Sequence, residues 1–170
     1  MAWSSLYDIA STVLAAVQAD INASDHPLPA GARVGVVNGE IAWDLCEKCG
    51  QLAIARGQLF YSDAFPIPAI TVPQGNCASA LLCADYTLQL IRYAPVPDNS
   101  GTPPSVDALD RSAREVISDG PILMNTAACT LDALVDANSI SDYVVKTVLG
   151  VGPAGACVGN QLDFTIAIGR

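Results

Sequence analysis

Near the start of the chain, hydrophobic positions recur at intervals of three and four: Trp3, Leu6, Ala10, Val13, Leu14, Val17 and Ile21. This spacing follows the turn of an α-helix and predicts an amphipathic helix over residues 5–22, opened by Ser5 and Asp8 as a capping pair. Past the turn-rich DHPLPAG the period changes. Arg33–Val37, Gln51–Tyr61 and Leu81–Tyr93 read as strands, and Leu82, Ala84, Tyr86, Leu88 and Leu90 share one face of the last. Helical spacing then returns. Ser105, behind Pro103 and Pro104, caps a second helix with Val106, Leu109, Ala113, Val116 and Ile117 along one side, and Gly120 with Pro121 is expected to end it. Leu123, Ala127, Leu131, Leu134 and Val135 mark a weaker third helix over residues 122–137.

The last part of the chain is β-rich again. DYVVKTVL leads into a glycine loop, GVGPAGACVG, after which Leu162, Phe164, Ile166 and Ile168 alternate with Asp163, Thr165, Ala167 and Gly169. Gly150, Gly152 and Gly155 satisfy the G-x-G-x-x-G spacing, but a dinucleotide-binding turn must open a helix, and a period of two follows here. A hairpin is the better reading. Together the elements predict an α+β fold in one domain over residues 1–170. Its antiparallel sheet of about four to five strands packs with an N-terminal helix and one or two mid-chain helices, and a C-terminal β-hairpin closes it.

Composition narrows the function classes. Half of the 170 residues are hydrophobic (51%), enough for a packed core without disulfides. Eight Lys and Arg against 17 Asp and Glu give a formal charge of −9, which disfavours sequence-specific nucleic-acid binding and anionic membranes. The first basic residue is Arg33, and Asp8, Gln18 and Asp20 interrupt the N-terminal apolar pattern, so neither a signal sequence nor a membrane span is expected there. The one linker-like stretch is Pro95–Pro104 (PVPDNSGTPP), read as a surface loop.

Candidate chemistry is sparse. His26 is the only histidine and sits in a polar, proline-flanked turn; no G-x-S-x-G elbow is present. Asp107 with Asp110, and Asp132 with Asp136, have the spacing of solvated helix faces. No catalytic residue and no cofactor is expected. The six cysteines leave three readings open. Cys46 and Cys49 form a knuckle that Cys77 and Cys83 would have to complete for zinc, although the spacing of the second pair fits poorly. Cys83 and Cys129 suit buried thiols. Disulfides such as Cys49–Cys77 or Cys129–Cys157 are the third reading.

The order of elements, with the phrases WDLCEKCGQL, LQLIRYAPVPD, ALDRSAREV and GACVGNQLDFTIAIG, resembles the tail terminator proteins of long-tailed (siphovirus-type) bacteriophages, the lambda-type terminators among them. The resemblance implies a structural virion protein, not an enzyme. It would form a homohexameric ring at the head-proximal end of the tail tube, end tube polymerisation and join the tail to the head–tail connector. Its implied partners are its own copies, the major tail tube protein and a connector or stopper protein, with genomic DNA passing through the lumen and no membrane contact. Assembly would take place in the bacterial host cytoplasm. On this reading the loops Pro95–Pro104 (Asp98, Asn99, Ser100, Gly101) and Val151–Asn160 (Val151, Pro153, Asn160) meet neighbouring subunits. The alternatives are a head-completion or stopper protein and, more distantly, a zinc or redox protein built on cysteines.

Overall fold

The computed structural model describes residues 5–43, 50–70 and 81–168. The first helix, α1 (Leu6–Ala23), starts where the Ser5 hydroxyl accepts from the Asp8 N–H at 3.0 Å, and it buries Ile9, Ala10, Val13, Leu14, Val17 and Ile21. Strands β1 (Arg33–Val37), β2 (Gln51–Ser62) and β3 (Leu81–Tyr93) follow; then come helix α2 (Val106–Asp136) and the hairpin of β4 (Asp142–Ala154) and β5 (Cys157–Ile168). The strands form one five-stranded sheet in the order β1-β2-β3-β5-β4. The fold is α+β, with both helices on the same face of the sheet.

One pairing departs from the expected antiparallel sheet: β1 runs parallel to β2, in register from Arg33↔Gln51 to Val37↔Ala55. The connection over residues 38–50 is long enough for the chain to return to the same end before β2 begins, which a tight hairpin turn could not do. The other pairings are antiparallel.

Alternation along the strands divides the sheet into two unlike faces. Leu52, Ile54, Ala84, Tyr86, Leu88, Leu90, Leu162, Phe164 and Ile166 face the helices and are buried against them. Tyr86 and Phe164 are register partners whose rings stack 5.2 Å apart, and the Tyr86 hydroxyl donates to the Leu6 carbonyl at 3.0 Å, fastening the start of α1 to β3. Burial pushes that hydroxyl's pKa up to about 12. The opposite face carries polar rows. Trp43 donates to Gln89, and Gln89 to Gln161, both at 2.8 Å; Gln161 and Thr87 then converge on the Asp163 carboxylate. Thr165 and Lys146 share Asp85.

Two expectations are corrected. Gly120 and Pro121 do not end a helix; α2 runs through both, so the expected second and third helices are one. An internal proline removes a helical N–H and crowds the carbonyl of the preceding turn. The carbonyl that loses its donor to Pro121 is that of Ile117; one residue earlier, β5 braces the helix, with the Asn160 side-chain amide donating to the Val116 carbonyl at 2.6 Å. A Cβ at Gly120 would make only ordinary contact with Val148, at 3.6 Å, so the packing of α2 on the hairpin does not require glycine there.

The expected Val151–Asn160 loop is almost entirely strand. Val151 pairs with Gly159 and Ala154 with Cys157, leaving Gly155 and Ala156 as the turn. The glycines serve packing and backbone geometry. Gly152 has φ 91°, and a Cβ on Gly159 would collide with the Leu90 carbonyl of β3. Among the described residues, no helix is long and apolar enough to cross a membrane.

Candidate functional site

Arg92 lies near the end of β3, two residues beyond Leu90, so strand alternation turns it toward the helices as it does the core leucines. Its guanidinium is buried against an equally buried Asp119 of α2. Nε donates to one carboxylate oxygen at 2.6 Å and an Nη to the other at 2.8 Å. The same Nη donates to the His26 carbonyl at 2.6 Å, and the second Nη reaches the Pro27 carbonyl at 3.4 Å. Burial pushes the Asp119 carboxyl up, against the pull of its hydrogen bonds to Arg92 and of the Arg92 and His26 charges. Arg92 thus joins three elements: β3, the middle of α2, and the turn after α1.

Arg92 also lines a cavity of about 760 Å³. Its walls are the turn Asp25–Pro29, the end of β3 with Tyr93 and Pro95, and the first turns of α2 with Arg111, Ser112 and Glu115. Each nitrogen of Arg92 is already engaged, so the residue holds the walls together rather than presenting a free cationic group.

The expected interface residues fall into different settings. Asp98 to Gly101 are exposed but ordered locally: the Asp98 carboxylate accepts the Ser100 hydroxyl at 2.5 Å and the N–H groups of Ser100 and Thr102 at 2.8 and 3.0 Å. These bonds, led by the Ser100 hydroxyl, hold its carboxyl below the usual range. Asn99 lies in that turn. Pro153 is exposed beside the hairpin turn, while Val151, like Trp43, packs against the cluster of Ile91 and Cys157. Asn160 is not a loop residue. It is buried in β5 and bonded to α2, because the face it continues is the core face of Leu162 and Phe164.

The cysteines also separate. Cys157 is disulfide-bonded to a partner outside the described residues, and Cys129 is a free, exposed thiol on α2, which overturns the expected Cys129–Cys157 pair and a buried Cys129. Cys83 is a buried thiol, its pKa raised to about 11 by burial and by neighbouring Asp85. Cys46, Cys49 and Cys77 lie outside the described residues, and with them the expected zinc set and the Cys49–Cys77 pair. Among the described residues, no cluster of three or more metal-ligating side chains is present. Asp107 and Asp110 are exposed, while Asp132 accepts the Tyr143 hydroxyl at 2.6 Å, a bond that pushes Tyr143 up to about 12.

The largest surprise is what stays uncovered. The apolar residues of the first half of α2 recur along one side, yet nothing from Val106 to Ser118 is fully buried. Val106 is 80% exposed and Ile117 74%. Leu59 and Tyr61 in the last part of β2, and Ile67 past its end, are also exposed. Arg92 and Asn160 were findable in the sequence as polar residues on the core parity of an alternating strand; the uncovered stripe carries no such signal. No family model matches the chain, and no curated protein matches it.

Proposed function

We propose that the protein is a structural subunit of the neck of a long-tailed phage. In this reading it forms a tail-terminator-like homohexameric ring on the head-proximal end of the tail tube, stops tube growth and joins the tail to the head connector. The observation that supports it most is the open sheet. Among the described residues, strand β1 pairs with β2 alone and β4 with β5 alone, so each outer edge offers backbone donors and acceptors to a neighbour. A contact that joins one kind of edge to the other is heterologous and closes into a ring when its rotation divides a full turn. Strand β4 also carries Lys146 and a register shift between Val145 and Val148, features that blunt indiscriminate edge pairing and favour a matched partner.

Electrostatics supports the same reading. A charge of −9, with Asp85 and Asp163 on the polar sheet face, suits the wall of a conduit along which DNA passes without adhering. Such a subunit requires no catalytic group.

The experiment mixes purified protein with polymerising tail tube protein and scores tube ends and lengths by negative-stain electron microscopy. Rings that cap tubes and halt extension are the expected result. Rings that ignore tubes and bind portal complexes would move the protein to the stopper position, and absence of any ring or tube-end binding would refute the neck assignment.

A further inference from the structure

The arm of α2 that precedes Gly120–Pro121 carries Val106, Leu109, Ala113 and Ile117 at intervals of three and four, a stripe built for another helix but met by none among the described residues. Along one flank lie Asp110 and Arg114, 2.8 Å apart and both well exposed. From this arrangement we infer that the arm docks on the same arm of a second copy, antiparallel, about a two-fold axis level with Arg111 and Ser112. Reversing the helix across that axis sets Val106 against Ile117 and Leu109 against Ala113. In nearly the same register, Asp110 of each copy falls beside Arg114 of the other. Both the apolar layers and the charges are therefore self-complementary, the requirement for an isologous contact.

Such a contact closes after two copies. It is distinct from the heterologous edge contact that a ring requires, and it stands whether or not the terminator reading is correct. With four apolar residues a side, it is a weak, concentration-dependent dimer rather than a permanent one.

Sedimentation equilibrium on the full chain tests it. The wild type should dimerise, and Ile117→Glu should raise the dissociation constant about a hundredfold or more, because each dimer loses two buried isoleucines. As Ile117 is 74% exposed, thermal unfolding of the dilute variant should match wild type, which separates loss of docking from loss of folding. Asp110→Arg and Arg114→Asp should each weaken the dimer about tenfold. Mixing the two single variants should restore association as a heterodimer, and combining both changes in one chain should restore the homodimer. A purely intrahelical role for the pair cannot produce the mixed-species rescue. The inference is overturned if wild type stays monomeric to about 1 mM, if Ile117→Glu dimerises normally, if the mixture shows no rescue, or if the arm is needed only for larger rings or for binding tube protein.

Discussion

The two halves of α2 follow the same helical periodicity yet meet different surroundings. Leu123, Ala127 and Leu131 are fully buried between α1 and the sheet, whereas Val106 and Ile117 carry an equally regular stripe into solvent. The boundary lies at Asp119–Pro121, where Arg92 and Asn160 reach up from the sheet to hold the helix. Periodicity states that a helix has an apolar face; it does not state what covers that face. In the second half the cover is this chain's own core, and in the arm it is left to a partner.

Breaking the boundary should have the largest effect. Arg92→Ala leaves Asp119 buried and unpaired, and should cost about 3–5 kcal/mol in chemical denaturation. Replacing both partners, as in Arg92→Met with Asp119→Leu, should recover most of that loss, since an apolar pair leaves no stranded charge. Within the second half, Leu131→Ala should cost about 2–5 kcal/mol by opening a cavity. The matched change in the arm, Leu109→Ala, should stay within about 0.5 kcal/mol in the dilute monomer. Equal costs for the two leucines would erase the distinction between the halves.

A smaller effect sharpens the account of the boundary. Asn160→Ala should cost about 1–3 kcal/mol, because the bond that ties β5 to the Val116 carbonyl of α2 is lost. In a Pro121→Ala background the same change should cost about as much, since the restored N–H bonds to the Ile117 carbonyl and not to Val116; a markedly smaller cost would show that Asn160 compensates for Pro121. Smallest is the cap. Ser105, whose hydroxyl accepts from the Ala108 N–H at 3.2 Å, should cost about 1 kcal/mol or less as alanine, and the change should fray the arm alone.

Much of the fold was legible because single strands and helices announce their own period. Arg33–Val37 and Leu81–Tyr93 have the bounds their alternation indicated, and the first helix differs from its expected span by one residue at each end. What was not legible depended on distant partners. Strand direction leaves no trace in alternation, so the parallel β1–β2 pair was missed. Pro121 reads as a stop because local rules penalise an internal proline, while the bonds that hold α2 on either side of it, such as Asn160 to Val116, come from far along the chain. The run around Gly150–Gly159 reads as a loop because local rules associate glycine with turns, whereas Gly159 is required by the closeness of Leu90. Cysteine pairing needs coordinates for the same reason. The site around Arg92 was half legible: its position on the core side of β3 could be counted, but its bond to Asp119 could not.

Amide hydrogen exchange followed across protein concentration tests the central claim most directly: the arm is a surface awaiting a partner, and the second half of α2 is core. In dilute protein, amides of residues 106–118 should exchange much faster than those of 122–136; at high concentration the arm should slow while the second half stays unchanged. An arm already as protected as the second half in dilute protein, or indifferent to concentration, would contradict the account.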